Sequence, residues 1–245
     1  MNKNPNLTIV GFFGQSGAGK TTVIRNVDQI INGKRITPYT GIIRYLFNKN
    51  NTGIKKTYFS PQDLLRKYGK ELEPLKLKER AAKIDEIYEK YIRSQMQLLN
   101  DFSTEVFVAT QEKYHAPITM LVDRSPIDFY LITICGMKYL QDELKKKPND
   151  HCKRLIELCK QTAEINTKNF FNAVFIVHPW KSGDINTDLN DGVRDQYLSD
   201  YYTGDNWYKP FKTLDIGSTQ TFEIEGNITD LALRAKKVSN YLREV

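Results

Sequence analysis

The stretch LTIVGFFGQSGAGKTTVIR constrains this chain more than any other. Leu7–Phe13 is an apolar run of strand length, Gly14 to Thr21 satisfies GxxxxGK[ST], and the apolar spacing that follows is helical. A strand that turns through glycines into a helix N-terminus aims several backbone N–H groups, and the positive end of the helix dipole, at one point. The ligand suited to that point is a phosphate. Gly14, Gln15, Ser16, Gly17, Ala18, Gly19, Lys20, Thr21 and Thr22 are therefore the expected nucleotide-binding residues. Lys20 would reach the β/γ-phosphates and the Thr21 hydroxyl would bind Mg²⁺. The rival reading, a glycine-rich turn with no ligand, needs the motif and its strand-to-helix setting to coincide by chance.

The rest of the chain alternates strand and helix. The first helix is expected from Lys20 to about Ile31, stopped by Gly33, and RITPYTGIIRYLF holds the next strand, with Pro38 and Gly41 weighing against it. Ser60-Pro61-Gln62-Asp63 reads as a cap, a first-turn proline and an acid at N3, with Gly69 closing that helix. A long charged helix follows over about 77–114, then the strand ITMLVD at 118–123. Ser125-Pro126 opens a helix running to the Lys145–Lys147 cluster, and another helix covers about 150–170. AVFIVH at 173–178 and QTFEIEG at 220–226 are further strands, and Asn227 caps a terminal helix with Ile228, Leu231, Leu233 and Val238 turned inward. Such alternation predicts an α/β P-loop NTPase fold, a parallel sheet flanked by helices on both faces. No low-complexity linker divides residues 1–245, so one domain is expected, with a basic helical insertion at about 34–80 and a lid at about 181–209.

The formal charge is +7, and nearly all the excess lies in residues 31–80, where twelve Lys/Arg face four acids. That stretch is either a solvated surface or an anion-binding one, so a nucleic acid is an eligible partner. The N-terminus MNKNPNLTIV lacks a signal-peptide apolar region and no run of about 18 apolar residues occurs, which predicts a soluble cytoplasmic protein without a membrane partner. Cys152 and Cys159 stand seven residues apart on a predicted helix, about 10 Å along its axis and too far to bridge. Reduced, packing thiols are expected, and His115 and His151 have no zinc-site spacing.

ITMLV ends in Asp123, a carboxylate placed to hold Mg²⁺, and Arg124 beside it suits a transferring or accepting phosphate. The chain has no [NT]KxD guanine-reading sequence and no Leu-Ser-Gly-Gly-Gln signature, which argues against switch GTPases and transporter ATPases. Asp123-Arg124-Ser125-Pro126-Ile127-Asp128, the phosphate loop and Asp191-Gly192-Val193-Arg194 together resemble the P-loop nucleoside and nucleotide kinases. The likeness is to the branch with ribosylnicotinamide kinase domains, with deoxynucleoside kinases and thymidylate kinase more distant. The resemblance implies that ATP is the donor, that Asp123 serves the metal, and that Arg124 contacts the substrate's reacting end. It also implies that Arg194 covers the ATP phosphates from a lid, and that EIEGN precedes the last helix near adenine. These kinases usually carry a carboxylate at the end of the second strand, and ITPYTGIIRYLF contains no acid. Either the correspondence fails there, or the acceptor is a phosphate that needs no base, held by Arg44 or Arg124, or Asp123 takes the proton of a hydroxyl.

Individual residues have plainer readings too. Asp128 stands three after Ser125 and completes a capping box, so it is a helix cap or a substrate contact. Arg194 is a lid residue or part of a solvated loop, and His178 is a strand-end residue bonded to backbone or a site residue. Tyr197, Tyr201, Tyr202, Trp207 and Tyr208 pack a loop edge or stack on a base. The expectation is an Mg²⁺- and ATP-dependent kinase of a nucleoside or nucleotide, most plausibly of a deoxynucleoside monophosphate. Its rivals are a kinase of nucleic acid, at a 5′ end or modified base, and a nucleotide-dependent regulatory binding protein.

Overall fold

The computed structural model of the chain describes residues 5–14, 18–50, 57–112, 114–178, 205–228 and 230–244. The elements run β1 (Leu7–Phe13), α1 (Lys20–Arg25), β2 (Ile30–Ile31), β3 (Lys34–Tyr39), α2 (Ile42–Asn50), α3 (Pro61–Leu72) and α4 (Leu77–Gln111). They continue with β4 (Ile118–Asp123), α5 (Pro126–Leu144), α6 (Asp150–Phe170), β5 (Ala173–Val177), α7 (Asp205–Phe211), β6 (Gln220–Ile224) and α8 (Leu231–Leu242).

The strands form one sheet in the order β2-β3-β4-β1-β5-β6. Every pairing from β3 to β6 is parallel, as expected, and β2 alone runs antiparallel, against β3, so the sheet is mixed. The cause is a hairpin. Asn32 (φ 49°) and Gly33 (φ 74°) both take the positive φ that a tight two-residue turn demands, and Asn-Gly is the pair that accepts it at least cost. Gly33 is thus a hairpin turn and not a helix stop, and α1 ends at Arg25 instead of reaching Ile31. Pro38 is tolerated inside β3 because β2 pairs only with Lys34 and Arg35, which leaves the other side of Pro38 with no ladder to serve.

Side-chain alternation divides the core. Leu7, Ile9 and Phe13 of β1, with Met120, Val122, Val174 and Ile176, face α4, α5, α6 and α7. Val10, Phe12, Leu121, Phe175 and Val177 face α1 and α8 on the other side. Two faces buried by helices are what apolar strands without polar alternation require. A third cluster, including Leu64, Tyr68, Leu72, Ile87, Tyr91, Met137 and Cys152, joins α3 to α4, α5 and α6. The 35-residue α4, about 50 Å long by its rise per residue, spans both the sheet-facing core and this helical region.

Four local expectations are corrected by burial, hydrogen bonding or strand pairing. Ser60 and Asp63 do form the capping box of α3, but Gly69 lies inside the helix, because Tyr68 and Leu72 continue its buried face. The terminal helix is capped by Asp230, whose carboxylate accepts from Ala232 N and Leu233 N, and not by Asn227. Leu233 is 55% exposed and is no core residue. The basic stretch from residue 34 begins as β3, bonded to β4, so its first residues are sheet and not insertion. Of the lid segment at 181–209, residues 181–204, including Arg194, lie outside the described residues, and 205–209 belong to α7. No helix among the described residues is long and apolar enough to cross a membrane.

Candidate active site

β1 and β4 are neighbours with Phe12 opposite Asp123, so the glycine loop and the Asp123-Arg124 pair leave the sheet side by side at its C-terminal edge. That edge is where ligands bind in open α/β sheets. Gly14 has φ +151°, and a Cβ there would stand 2.4 Å from the Val177 carbonyl oxygen, so only glycine lets the loop turn against the end of β5. Gly19, at φ +83°, caps α1 in a left-handed conformation. Lys20, the first residue of α1, is only 5% exposed, and its ammonium donates to the Gly14 carbonyl at 2.7 Å. Its amine is thereby folded back over the loop it would serve. The next residue, Thr21, donates its hydroxyl proton to the Asp123 carboxylate. Thr21 and Asp123 thus present adjacent hard oxygens, the donor type Mg²⁺ takes from protein when phosphates and water complete its shell. Gln15, Ser16 and Gly17 lie outside the described residues, and Thr22 is exposed on α1.

Arg124 has φ 106°, a backbone conformation rare outside glycine. Its N–H donates to Phe12 O at 3.2 Å, and the turned backbone sends the guanidinium to Gly14 O at 3.4 Å and to an Asp128 carboxylate oxygen at 3.2 Å. Asp128 is fully buried and gathers the site's backbone. One of its oxygens accepts from Ser125 N at 2.8 Å and the Ser125 hydroxyl at 2.9 Å, and the other from Arg124 and, at 3.5 Å, from Gly14 N. Burial pushes its carboxyl above the usual carboxylate range, against the opposing pull of Arg124, Lys20 and the Ser125 donors. The residue that the sequence offered as cap or substrate contact is therefore both cap and cross-link, joining the start of α5 to the glycine loop beneath the surface. Nothing in the capping-box pattern signals the bonds to Gly14 and Arg124.

Other candidates are dispersed. Arg44 is exposed on α2, which leaves the sheet after β3, on the C-terminal side. Lys34 and Arg35 begin β3 at the opposite edge, Arg35 facing Ile118, so the basic stretch does not track along one edge of the sheet. Lys55 and Lys56 lie outside the described residues. His178 N donates to Ile224 O at 3.0 Å, its ring contacts Glu223 at 3.2 Å, and it lies 4.4 Å from the Tyr208 ring centroid. Trp207 is fully buried and stacks on Phe13 at 5.6 Å, so it packs α7 onto the sheet; Tyr197, Tyr201 and Tyr202 are outside the described residues. The three cysteines are buried and form no disulfide, and burial raises Cys135 to about 12 and Cys159 to about 11, as packing thiols should be. A residue the sequence reading missed is Arg234, buried in α8 behind the loop.

No protein-family model and no curated protein sequence matches this chain. Solved structures do. A deoxyadenosine kinase from M. mycoides, with the products dCMP and a flexible dCDP bound, matches over 97% of this chain and 100% of its own, with TM-score 0.54 at 13% identity. The thymidylate kinase from Candida albicans matches over 98% and 90%, with TM-score 0.50 at 11% identity. The fold is that of the P-loop nucleoside and nucleotide kinases. At such identities the likeness is one of fold alone, and it falls on nine-tenths or more of each chain rather than on the glycine loop alone.

Proposed function

We propose that the protein is an ATP-dependent phosphotransferase acting on a nucleoside or nucleotide, with a deoxynucleoside monophosphate as the acceptor. The observation that carries this reading is the convergence of Lys20, Thr21, Asp123 and Arg124 on one sheet edge, with Thr21 bonded to Asp123 and Arg124 to the glycine loop. The kinase fold of the two neighbours supports it.

Phosphoryl transfer asks little covalent help of a protein; it asks for in-line positioning and charge neutralisation. In this reading the loop amides and the α1 N-terminus hold the donor's phosphates, and Lys20 swings from the Gly14 carbonyl onto the β/γ-oxygens. Thr21 and Asp123 would hold Mg²⁺, which neutralises phosphate charge when bound. Arg124 meets the moving phosphoryl group, and Arg194 adds a second guanidinium from the lid segment. Residues 36–48 contain no acid, so the end of β3 offers no carboxylate to an attacking hydroxyl. A phosphate acceptor has no need of one, since its oxygen is already ionised at neutral pH. Arg44 is the proposed contact for its phosphate.

The deciding assay offers labelled ATP and Mg²⁺ to the purified protein with nucleosides, deoxynucleoside monophosphates, nicotinamide riboside, and single- and double-stranded DNA. Transfer to a monophosphate, abolished by Lys20→Ala in a folded protein, is the expected result. Transfer to DNA would establish the nucleic-acid kinase instead, and ATP loss with no acceptor dependence the regulatory nucleotide-binding protein.

A further inference from the structure

Helix α8 carries an arginine inside its apolar stripe. Leu231, Ala235, Val238 and Leu242 recur at helical spacing on the face that meets the sheet, and Arg234 lies among them with no exposed surface. Its guanidinium donates to four backbone carbonyls on three stretches of chain. Nε reaches Ile228 O at 2.6 Å, Nη1 reaches Ala18 O at 3.0 Å, and Nη2 reaches His178 O at 3.2 Å and Glu225 O at 3.3 Å. Ala18 belongs to the phosphate-binding loop, two residues before Lys20; His178 directly follows β5, beside the Val177 carbonyl against which Gly14 turns; Glu225 begins the turn after β6.

Burying a guanidinium is costly unless its donors are matched, and here charge-assisted bonds match them. Stability alone is a poor account of such a residue, because well-packed apolar side chains commonly serve a buried site equally well. What an apolar side chain lacks is direction. A rigid planar fork that bonds Ala18, His178, Glu225 and Ile228 together fixes the separation of those segments in a way that packing does not.

We propose that Arg234 is a positioning residue that sets the backbone of the phosphate-binding loop and ties it to the β5 end and the β6 turn. Resting on the phosphotransferase reading, the donor's phosphates and the group beyond them meet surfaces held at one spacing by a single side chain. Arg234 touches carbonyls behind the loop, so it acts through Ala18 and not on the nucleotide.

The test uses the full chain with Arg234→Lys and Arg234→Met, each checked for native near-UV dichroism. Lysine keeps the charge and loses the fork; methionine keeps much of the volume and loses both. Hydrogen exchange without nucleotide is expected to quicken in peptides covering 18–25 and 223–228, while α5 and α6 exchange as in the unaltered protein. In the transfer assay Arg234→Lys is expected to raise the KM for ATP about tenfold or more and to leave the acceptor KM unchanged. Exchange that rises evenly across the chain, or an unchanged KM for ATP in folded Arg234→Lys, would overturn the proposal. Should the unaltered protein neither bind nor turn over ATP, the phosphotransferase reading falls, and the exchange pattern still decides whether Arg234 sets the loop.

Discussion

Arg124 holds φ 106° at the junction between the Asp123 carboxylate and α5. A non-glycine residue held in a sparsely populated backbone region costs about 1–3 kcal/mol, and such residues persist where the surroundings over-determine them. Here the over-determination is visible: the Arg124 N–H is tied to Phe12 and the guanidinium to Gly14 and Asp128. Replacing Arg124 by Ala and by Gly removes the guanidinium in both cases and leaves Asp128 equally deprived, so the difference between the two variants isolates the backbone. Glycine relieves the strain and returns about 0.5–1 kcal/mol through its freer unfolded chain, which leaves Arg124→Gly more stable than Arg124→Ala by about 1 kcal/mol. In a chain of 245 residues that is about 2–4 °C in Tm. Urea and thermal unfolding at neutral pH measure the difference, and transfer assays should find the two variants equally impaired, by about a hundredfold or more, because neither offers a cation to the phosphoryl group. An Ala variant more stable than the Gly variant would refute the claim that this backbone is strained.

Gly14→Ala places a methyl 2.4 Å from the Val177 carbonyl oxygen at an unfavourable φ, so nucleotide affinity should fall at least tenfold, read by calorimetric titration with ATP. Gly136→Ala sets a Cβ 2.0 Å from the Tyr91 hydroxyl, which donates to Ile132 O at 2.9 Å; overpacking should outweigh the better helix propensity and cost about 2 kcal/mol in denaturant unfolding. A stabilised Gly136→Ala variant would contradict that contact. For Asp128, a carboxyl raised by burial contributes stability that is present below its ordinary value of 3.8 and is lost as pH rises through the raised one. Asp128→Asn cannot titrate, so its stability relative to the unaltered protein should improve as pH rises from about 4 towards neutrality, and a pH-independent difference would rule out the raised value.

The elements legible in the sequence are those whose signals are local. GxxxxGK[ST] after an apolar run, the Ser60-Pro61 and Ser125-Pro126 openings, and the apolar strands at 118–123 and 173–177 announce themselves because glycine sterics, first-turn prolines and capping donors act within a few residues. Asp123 and Arg124 could be singled out for the same reason, as a charged pair closing an apolar strand. The misreadings arose where two local signals competed. Gly33 and Gly69 look alike as helix stops, but Asn32 makes the first a hairpin turn, and burial of Tyr68 and Leu72 carries the helix through the second. Asn227 and Asp230 are both able caps, and it is the Asp230 carboxylate that accepts from the first-turn N–H groups of Ala232 and Leu233.

What no stretch of sequence could state is which segments meet. That Thr21 bonds Asp123 across 102 residues, that Asp128 reaches Gly14 across 114, and that Arg234 bonds Ala18 across 216 follow from the strand order, which sets β1 between β4 and β5. Strand order is decided by burial on both faces of the sheet at once, a property of the whole chain, whereas caps and glycine turns are decided by their own few atoms. The sequence by itself therefore determined the chemistry available at the edge of β1, and tertiary packing decided which side chains stand behind it.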